Sequence, residues 1–138
     1  TGVQTCALPI LNYTSLSVWV PLQEALVENG CMWFVPKSHL LEVMDHQSIG
    51  GDVRIHALEV LGADVSKAVA CPLPAGGATF HTSRTLHYTG PNTSEIPRRA
   101  YILGGGLPAS PRTDGRRFIW NEIKQTQREA RAKESSGS

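Results

Sequence analysis

The sequence predicts an all-β domain, an antiparallel sandwich or open barrel, and three observations carry that expectation. About six short apolar runs have strand character, Gly- and Pro-rich turns separate them, and a helical pattern occurs only near the C-terminal end. The 138 residues, 41% hydrophobic and 18% charged, suffice for one hydrophobic core and are too few for two.

From Leu16 to Leu22 the run LSVWVPL alternates, with Leu16, Val18, Val20 and Leu22 on one face and Ser17, Trp19 and Pro21 on the other, the period of a β-strand. Glu28-Asn29-Gly30 reads as a turn, and CMWFVP after it is a second strand-type run that Pro36 ends. SHLLEV reads as a helical turn with Ser38 as its N-cap. The stretch from Asp45 to Asp64 is polar, contains Gly50-Gly51, lacks periodicity and reads as one long loop. Strands resume at Lys67 to Leu73 and at Ala78 to His81, across the turn Pro74-Ala75-Gly76-Gly77. Two more follow at Thr85 to Thr89 and, beyond Gly90-Pro91-Asn92, at Arg99 to Leu103. Phe118, Ile119, Trp120 and Ile123 ahead of a charged stretch predict a C-terminal helix docked at one end, with Ser135 to Ser138 loose. A closed double-sheet jelly roll uses about eight strands, so the count is about two short and strands preceding Leu11 are expected to be missing.

Lys and Arg number 13 against 12 Asp and Glu, a formal net charge of +1, and about half of the basic residues lie beyond Ala109. Such a chain has no excess positive field to hold a phosphate backbone, which excludes nucleic acid as the expected partner. The longest apolar runs are about five or six residues, far short of the roughly 18 that a membrane-spanning helix needs, so no membrane segment is expected. Cys6, Cys31 and Cys71 are odd in number and widely spaced, which argues against a disulfide framework and for a reducing, cytoplasmic setting.

His39, His46, His56, His81 and His87 are spread over four segments, at neither a zinc-finger nor an HExxH spacing. His87 stands out. It sits on the short strand RTLHY, a tight turn follows, and Arg98 and Arg99 begin the next apolar strand. In an antiparallel pair this arrangement brings an imidazole and a guanidinium to one cavity mouth, where a planar guanidinium holds a carboxylate by two parallel hydrogen bonds. The alternative for Arg98 is a solvated charge at a sheet edge.

The stretches WVPLQEALVENGCMWFVPKSHL and PLPAGGATFHTSRTLHYTGPNTSEIPRRA resemble the phytanoyl-CoA dioxygenase family of non-haem iron, 2-oxoglutarate-dependent oxygenases, from about Leu11 to Leu107. Four blocks in order carry the resemblance: a strand with a central Trp, an ENG turn leading into P-x-S-H, a glycine-bearing strand ending in FH, and the spacing His87, Asn92, Arg98. It implies a double-stranded β-helix, a cupin-like jelly roll, over 11–112, ahead of a C-terminal helix and tail over 113–138. It also implies an Fe(II) cofactor, with 2-oxoglutarate, dioxygen and a small organic substrate as partners. In that reaction 2-oxoglutarate is decarboxylated to succinate while a substrate C–H is hydroxylated.

Position by position, the resemblance makes His87 the distal histidine of a facial triad of two His and one carboxylate. It makes Arg98 the clamp on the far carboxylate of 2-oxoglutarate, with Arg99 sent to the opposite face by strand alternation. Trp19 becomes a wall of the co-substrate pocket, with core packing as its alternative. His39 matches the histidine of a P-G-S-H element in which Lys37 stands in place of glycine, so a turn needing φ > 0 is strained by about 1 kcal/mol or rebuilt. Asn92 is expected to shape the GPN turn. His81, His39 and Asn92 are candidates for substrate contact or for support behind the ligands, and His81 is expected to face the same way as His87 only if the strand runs unbroken between them.

The family's other two ligands form a His-x-Asp motif roughly eighteen residues before the strand tryptophan. Counting back from Trp19 reaches Thr1, Gly2 and Val3, which include neither residue type. Residues 1–10, TGVQTCALPI, resemble a translated sequencing-adapter read-through of the kind found at the ends of metagenomic reading frames, and are expected to be foreign to the domain. The expectation is therefore a C-terminal fragment of an oxygenase, inactive as written. Two alternatives come from other classes: a metal-free jelly-roll module that keeps Arg98 as a carboxylate receptor, and an inactive partial chain that aggregates through an open sheet edge.

Overall fold

The computed structural model describes residues 11–12, 15–51, 58–108 and 110–111. The ten N-terminal residues, His56 and the expected C-terminal helix lie outside them. The strands are β1 (Leu11–Asn12), β2 (Ser15–Pro21), β3 (Met32–Phe34), β4 (His46–Ser48), β5 (Leu58–Val60), β6 (Val69–Cys71), β7 (Thr79–Thr82), β8 (His87–Thr89), β9 (Ala100–Gly106) and β10 (Ser110–Pro111).

Two three-stranded antiparallel sheets form the body, ordered β7-β2-β9 and β6-β3-β8. Trp19 from the first sheet shares a buried cluster with Met32 of the second and with Ala25 and Cys31, so the two sheets face each other across one core. This is the expected jelly roll. The all-β reading holds among the described residues, whose only helical pieces are the 3-10 turns Ser38–Leu40 and Ile49–Gly51.

β2 alternates as its sequence requires, and the buried face is that of Ser15, Trp19 and Pro21 rather than the aliphatic one. The indole is the largest apolar surface on the strand, and it fills the space between the sheets. Register places Val18 opposite Phe80 and Leu103, and Val20 opposite Tyr101, on the outer face, where Leu16 is 45% exposed.

Two local expectations are corrected. The stretch from Asp45 to Asp64 is not one long loop, because β4 and β5 pair antiparallel within it, His46 opposite Val60 and Ser48 opposite Leu58. Val60 is buried with Val35 and Leu86, so a contact distant in sequence supplies the order that local periodicity lacks. Ser38 does not cap the turn that follows it. The N-cap is Lys37, in the left-handed conformation at φ 63°, while the buried Ser38 Oγ accepts a hydrogen bond from the Leu86 N–H at 2.9 Å. A buried N–H arriving from 48 residues away takes the hydroxyl that local geometry assigned to the turn.

The Glu28-Asn29-Gly30 turn is built from within. Asn29 is almost wholly buried, and its side chain accepts from Leu26 N–H and donates to Glu24 O, both at 2.7 Å. Gly30 then turns the chain into β3 at φ +90°, a conformation side chains rarely adopt.

Candidate metal and carboxylate site

β7 and β8 belong to different sheets, and each contributes one imidazole to the same place. The rings of His81 and His87 lie 4.2 Å apart between centroids, and Phe34 of β3 lies against both, at 5.2 and 6.1 Å. The condition expected for this meeting, a strand unbroken from His81 to His87, is not met: a turn over 83–85 separates β7 from β8. The rings meet because the chain changes sheets there and returns across the core.

His87 is buried, and its Nδ1 lies 2.8 Å from Thr85 O. A carbonyl only accepts, so Nδ1 carries the proton and Nε2 keeps its lone pair, the state in which an imidazole ligates a metal. His81 is also buried, 8% exposed, and its Nδ1 has no hydrogen-bond partner. Burial, with the neighbouring His87 adding to it, lowers the His81 pKa to about 4. Burial likewise lowers that of His87, against the opposing bond to Thr85, and that of His46.

These depressed values have one sign. The unfolded chain takes up protons near pH 6.5 that the folded chain refuses, so the histidine contribution to stability is whole above about pH 6.5 and is lost as pH falls toward 4. The melting temperature is expected to drop across that window, and less steeply in His81→Gln. A profile that stays flat between pH 7 and 4.5 would contradict this.

Arg98 lies two residues ahead of β9, exposed, and its Nη1 donates to Gly30 O at 3.1 Å. Thr93, in the same loop, donates from its N–H and hydroxyl to Glu28 O at 2.8 and 3.0 Å. Asn92 organises the loop that follows the GPN turn: Nδ2 donates to Ile96 O, and Oδ1 accepts from the N–H and hydroxyl of Ser94. The segment that carries Asn92 and Arg98 is thus clamped onto the ENG turn. Gly90 O and Arg98 Nη1 both crowd the α-carbon of Gly30, and three residues of extended chain, at about 3.3 Å each, put Gly90 roughly 10 Å from His87, so the guanidinium is anchored at one end of the strand that bears the imidazole. Arg99 is engaged through its backbone, N–H to Gln23 Oε1 and C=O to Leu22 N–H.

Trp19 is 6% exposed in the core cluster. His39 is exposed on the 3-10 turn and lines an open cavity of about 360 Å³ that also reaches His81. Two residues carry this arrangement in roles that the sequence does not assign: Phe34, which packs on both imidazoles, and Gly30, marked in sequence as a turn residue, which seats Arg98. The glycine of the ENG turn was the available signal for the second; nothing local marked Phe34.

Iron fits this chain only in part. His87 Nε2 is suited to one position, yet no group of three His, Cys, Asp or Glu able to hold a metal forms among the described residues. The sequence contains no His-x-Asp or His-x-Glu. One imidazole, with a second beside it, does not complete a two-His, one-carboxylate triad. Among the described residues no helix is long and apolar enough to cross a membrane.

Two facing antiparallel sheets are those of a double-stranded β-helix, and similarity to known proteins agrees with that fold. The chain belongs to the family Phytanoyl-CoA dioxygenase (PhyH), which it matches over residues 6–100. It is 34% identical over 102 residues to a probable alpha-ketoglutarate-dependent hypophosphite dioxygenase of Stutzerimonas stutzeri, covering 70% of this chain and 35% of that one. It is 30% identical over 92 residues to phytanoyl-CoA dioxygenase domain-containing protein 1 of Mus musculus, covering 64% and 32%. Among solved structures it resembles EvdO2 of Micromonospora carbonacea var. aurantiaca complexed with 2-oxoglutarate, with a TM-score of 0.76, 39% identity, and coverage of 83% of this chain and 48% of that one. The epimerase SnoN in complex with Fe3+, alpha ketoglutarate and nogalamycin RO is similar at a TM-score of 0.61 and 30% identity, with coverage of 83% and 45%. The chain therefore spans about a third of the length of the curated relatives it matches. The family's cofactor and co-substrate are Fe(II) and 2-oxoglutarate.

Proposed function

We propose that this chain is the C-terminal part of a cytoplasmic Fe(II)- and 2-oxoglutarate-dependent oxygenase that hydroxylates a small organic substrate. The observation that carries the reading is the pairing of a buried His87, its Nε2 left unprotonated, with an Arg98 loop clamped to the ENG turn at the end of the same strand. Iron at such a site supplies the activation of dioxygen. His87 offers one nitrogen ligand, fixed in its tautomer by Thr85. Arg98 spends one donor on Gly30 and has further N–H donors for a carboxylate, a fork suited to the far end of 2-oxoglutarate. Asn92 holds the Arg98 loop; the family resemblance assigns Trp19 to the co-substrate side and His81 and His39 to the substrate side.

The test is succinate formation. The chain as written is expected to form none above background, and a version extended upstream through a His-x-Asp motif is expected to form it in the presence of Fe(II), 2-oxoglutarate and substrate. An extended reading frame with no His-x-Asp near that place would overturn the proposal. A second reading, a metal-free carboxylate receptor, is favoured by the absence of a three-donor group among the described residues. It requires 2-oxoglutarate to bind equally with and without a chelator.

A further inference from the structure

Ser38 is buried, and each of its polar groups is engaged. Its N–H donates to Val35 O at 3.2 Å, its C=O accepts from Leu41 N–H at 3.0 Å, and its Oγ accepts from Leu86 N–H at 2.9 Å. With a single torsion between Cα and Oγ and the backbone held on both sides, the hydroxyl oxygen is a fixed acceptor. The same segment grips Leu86 a second time: Leu86 O accepts from Val35 N–H at 3.0 Å, and the Leu86 side chain is buried with Val35 and Val60. Arg84, two residues earlier, donates from Nη2 to Leu41 O. The turn between β7 and β8 is thus tied to residues 35–41 at three places.

One of these ties continues to His87. The Leu86 N–H and the Thr85 C=O are the two ends of one peptide unit, which is planar and trans, so they point in opposite directions in one plane. Thr85 O is the acceptor 2.8 Å from His87 Nδ1. A single amide plane therefore joins Ser38 Oγ at its donor end to the imidazole at its acceptor end. Holding the N–H fixes where the carbonyl points, and engaging the N–H polarises the amide so that its oxygen accepts more strongly. Which ring nitrogen carries the proton is set by such a bond. His39, beside Ser38 in the P-x-S-H element, is exposed and takes no part in this chain of bonds.

We propose that Ser38 is a positioning residue for His87, acting through the Thr85–Leu86 peptide: it aims the Thr85 carbonyl at Nδ1, holds the proton there and leaves the Nε2 lone pair available. That this lone pair serves iron rests on the oxygenase reading; the tautomer does not. The serine of the element thereby has a task distinct from capping its own turn, and its partner lies 48 residues away.

The experiment reads the imidazole nitrogen shifts of the 15N-labelled chain by nuclear magnetic resonance, in EDTA and above the titration range of its histidines. The parent is expected to show His87 mainly as the Nδ1–H form. His46 is the internal control, since its Nδ1 likewise lies near a carbonyl two residues earlier, 2.6 Å from Met44 O. Ser38→Ala is expected to move the His87 tautomer ratio toward Nε2–H by about threefold or more and that of His46 by less than about twofold, because a polarised partner strengthens a hydrogen bond by roughly 10 to 30%. Ser38→Thr, which keeps the hydroxyl, is expected to retain the parent ratio. If Ser38→Ala does not fold, Ser38→Cys, whose sulfur accepts weakly, replaces it under the same criterion. An unchanged His87 ratio overturns the proposal, and so does an equal shift at His46, which would mark a general loosening. In the upstream-extended protein, Ser38→Ala is expected to raise the Fe(II) concentration for half-maximal succinate formation by about 10- to 100-fold, the usual cost of losing the support behind a metal-bound imidazole. An unchanged Fe(II) requirement overturns the positioning role. No succinate from the extended parent would overturn the oxygenase reading alone, with the tautomer result intact.

Discussion

Gly30→Ala is expected to lower the melting temperature by roughly 6 to 15 °C, the result of about 2 to 3 kcal/mol at about 3 to 5 °C per kcal/mol for a chain of 138 residues. Two costs combine. At φ +90° an added Cβ strains the backbone by about 1 to 2 kcal/mol. The same Cβ would stand 3.0 Å from Gly90 O, 3.2 Å from Arg98 Nη1 and 3.4 Å from Arg98 Cδ, and the first of these is backbone that cannot swing aside. Gly62→Ala is the control, since Gly62 has φ +66° with nothing within 4 Å and incurs the strain alone. Thermal unfolding of the two variants by circular dichroism decides it: equal losses would show that Gly30 serves only its own turn. A larger loss at Gly30 shows that the turn and the Arg98 loop are locked together.

Arg98→Ala, made in the upstream-extended protein, is expected to weaken 2-oxoglutarate binding by about 30- to 1000-fold, corresponding to about 2 to 4 kcal/mol for removing one partner of a hydrogen-bonded charge pair. Arg98→Lys is expected to recover only part, because an ammonium cannot make two parallel bonds to a carboxylate. Arg99→Ala should leave the affinity within about twofold, a change worth less than half a kcal/mol. Titration of 2-oxoglutarate into the three variants separates the neighbouring arginines, and a larger effect at Arg99 would transfer the role to it. Arg98 is exposed and bonds to one carbonyl, so its loss should move the melting temperature little compared with Gly30→Ala.

The strands were legible where both of their faces obeyed a local rule. β2, β3, β6, β7, β8 and β9 all overlap runs marked by alternation or by β-branched and aromatic residues bounded by Gly and Pro, with β2, β7 and β9 extending one to three residues beyond them. The β4-β5 ribbon was not legible, because His46-Gln47-Ser48 and Leu58-Glu59-Val60 are too short and too polar to declare themselves, and pairing plus the burial of Val60 against Val35 and Leu86 decides them. The helical turn lies where local sequence places it but is capped by Lys37, since Ser38 follows a long-range partner instead of its own turn.

Of the candidate site, residue types and spacing determined the family and its motif, His87, Asn92 and Arg98; at Lys37 they left a strained turn or a rebuilt one, and the structure keeps the positive φ. Spacing is a one-dimensional property, and it states which residues belong to one motif without stating what faces them. Only the tertiary structure decided that His81 meets His87 from the opposite sheet, that Phe34 packs on both, and that the Arg98 loop rests on Gly30. Each of those contacts joins segments separated by a turn or by dozens of residues, and two sheets folding face to face bring them together. Strand periodicity sets which way a side chain points; the packing of one sheet on the other sets what it touches.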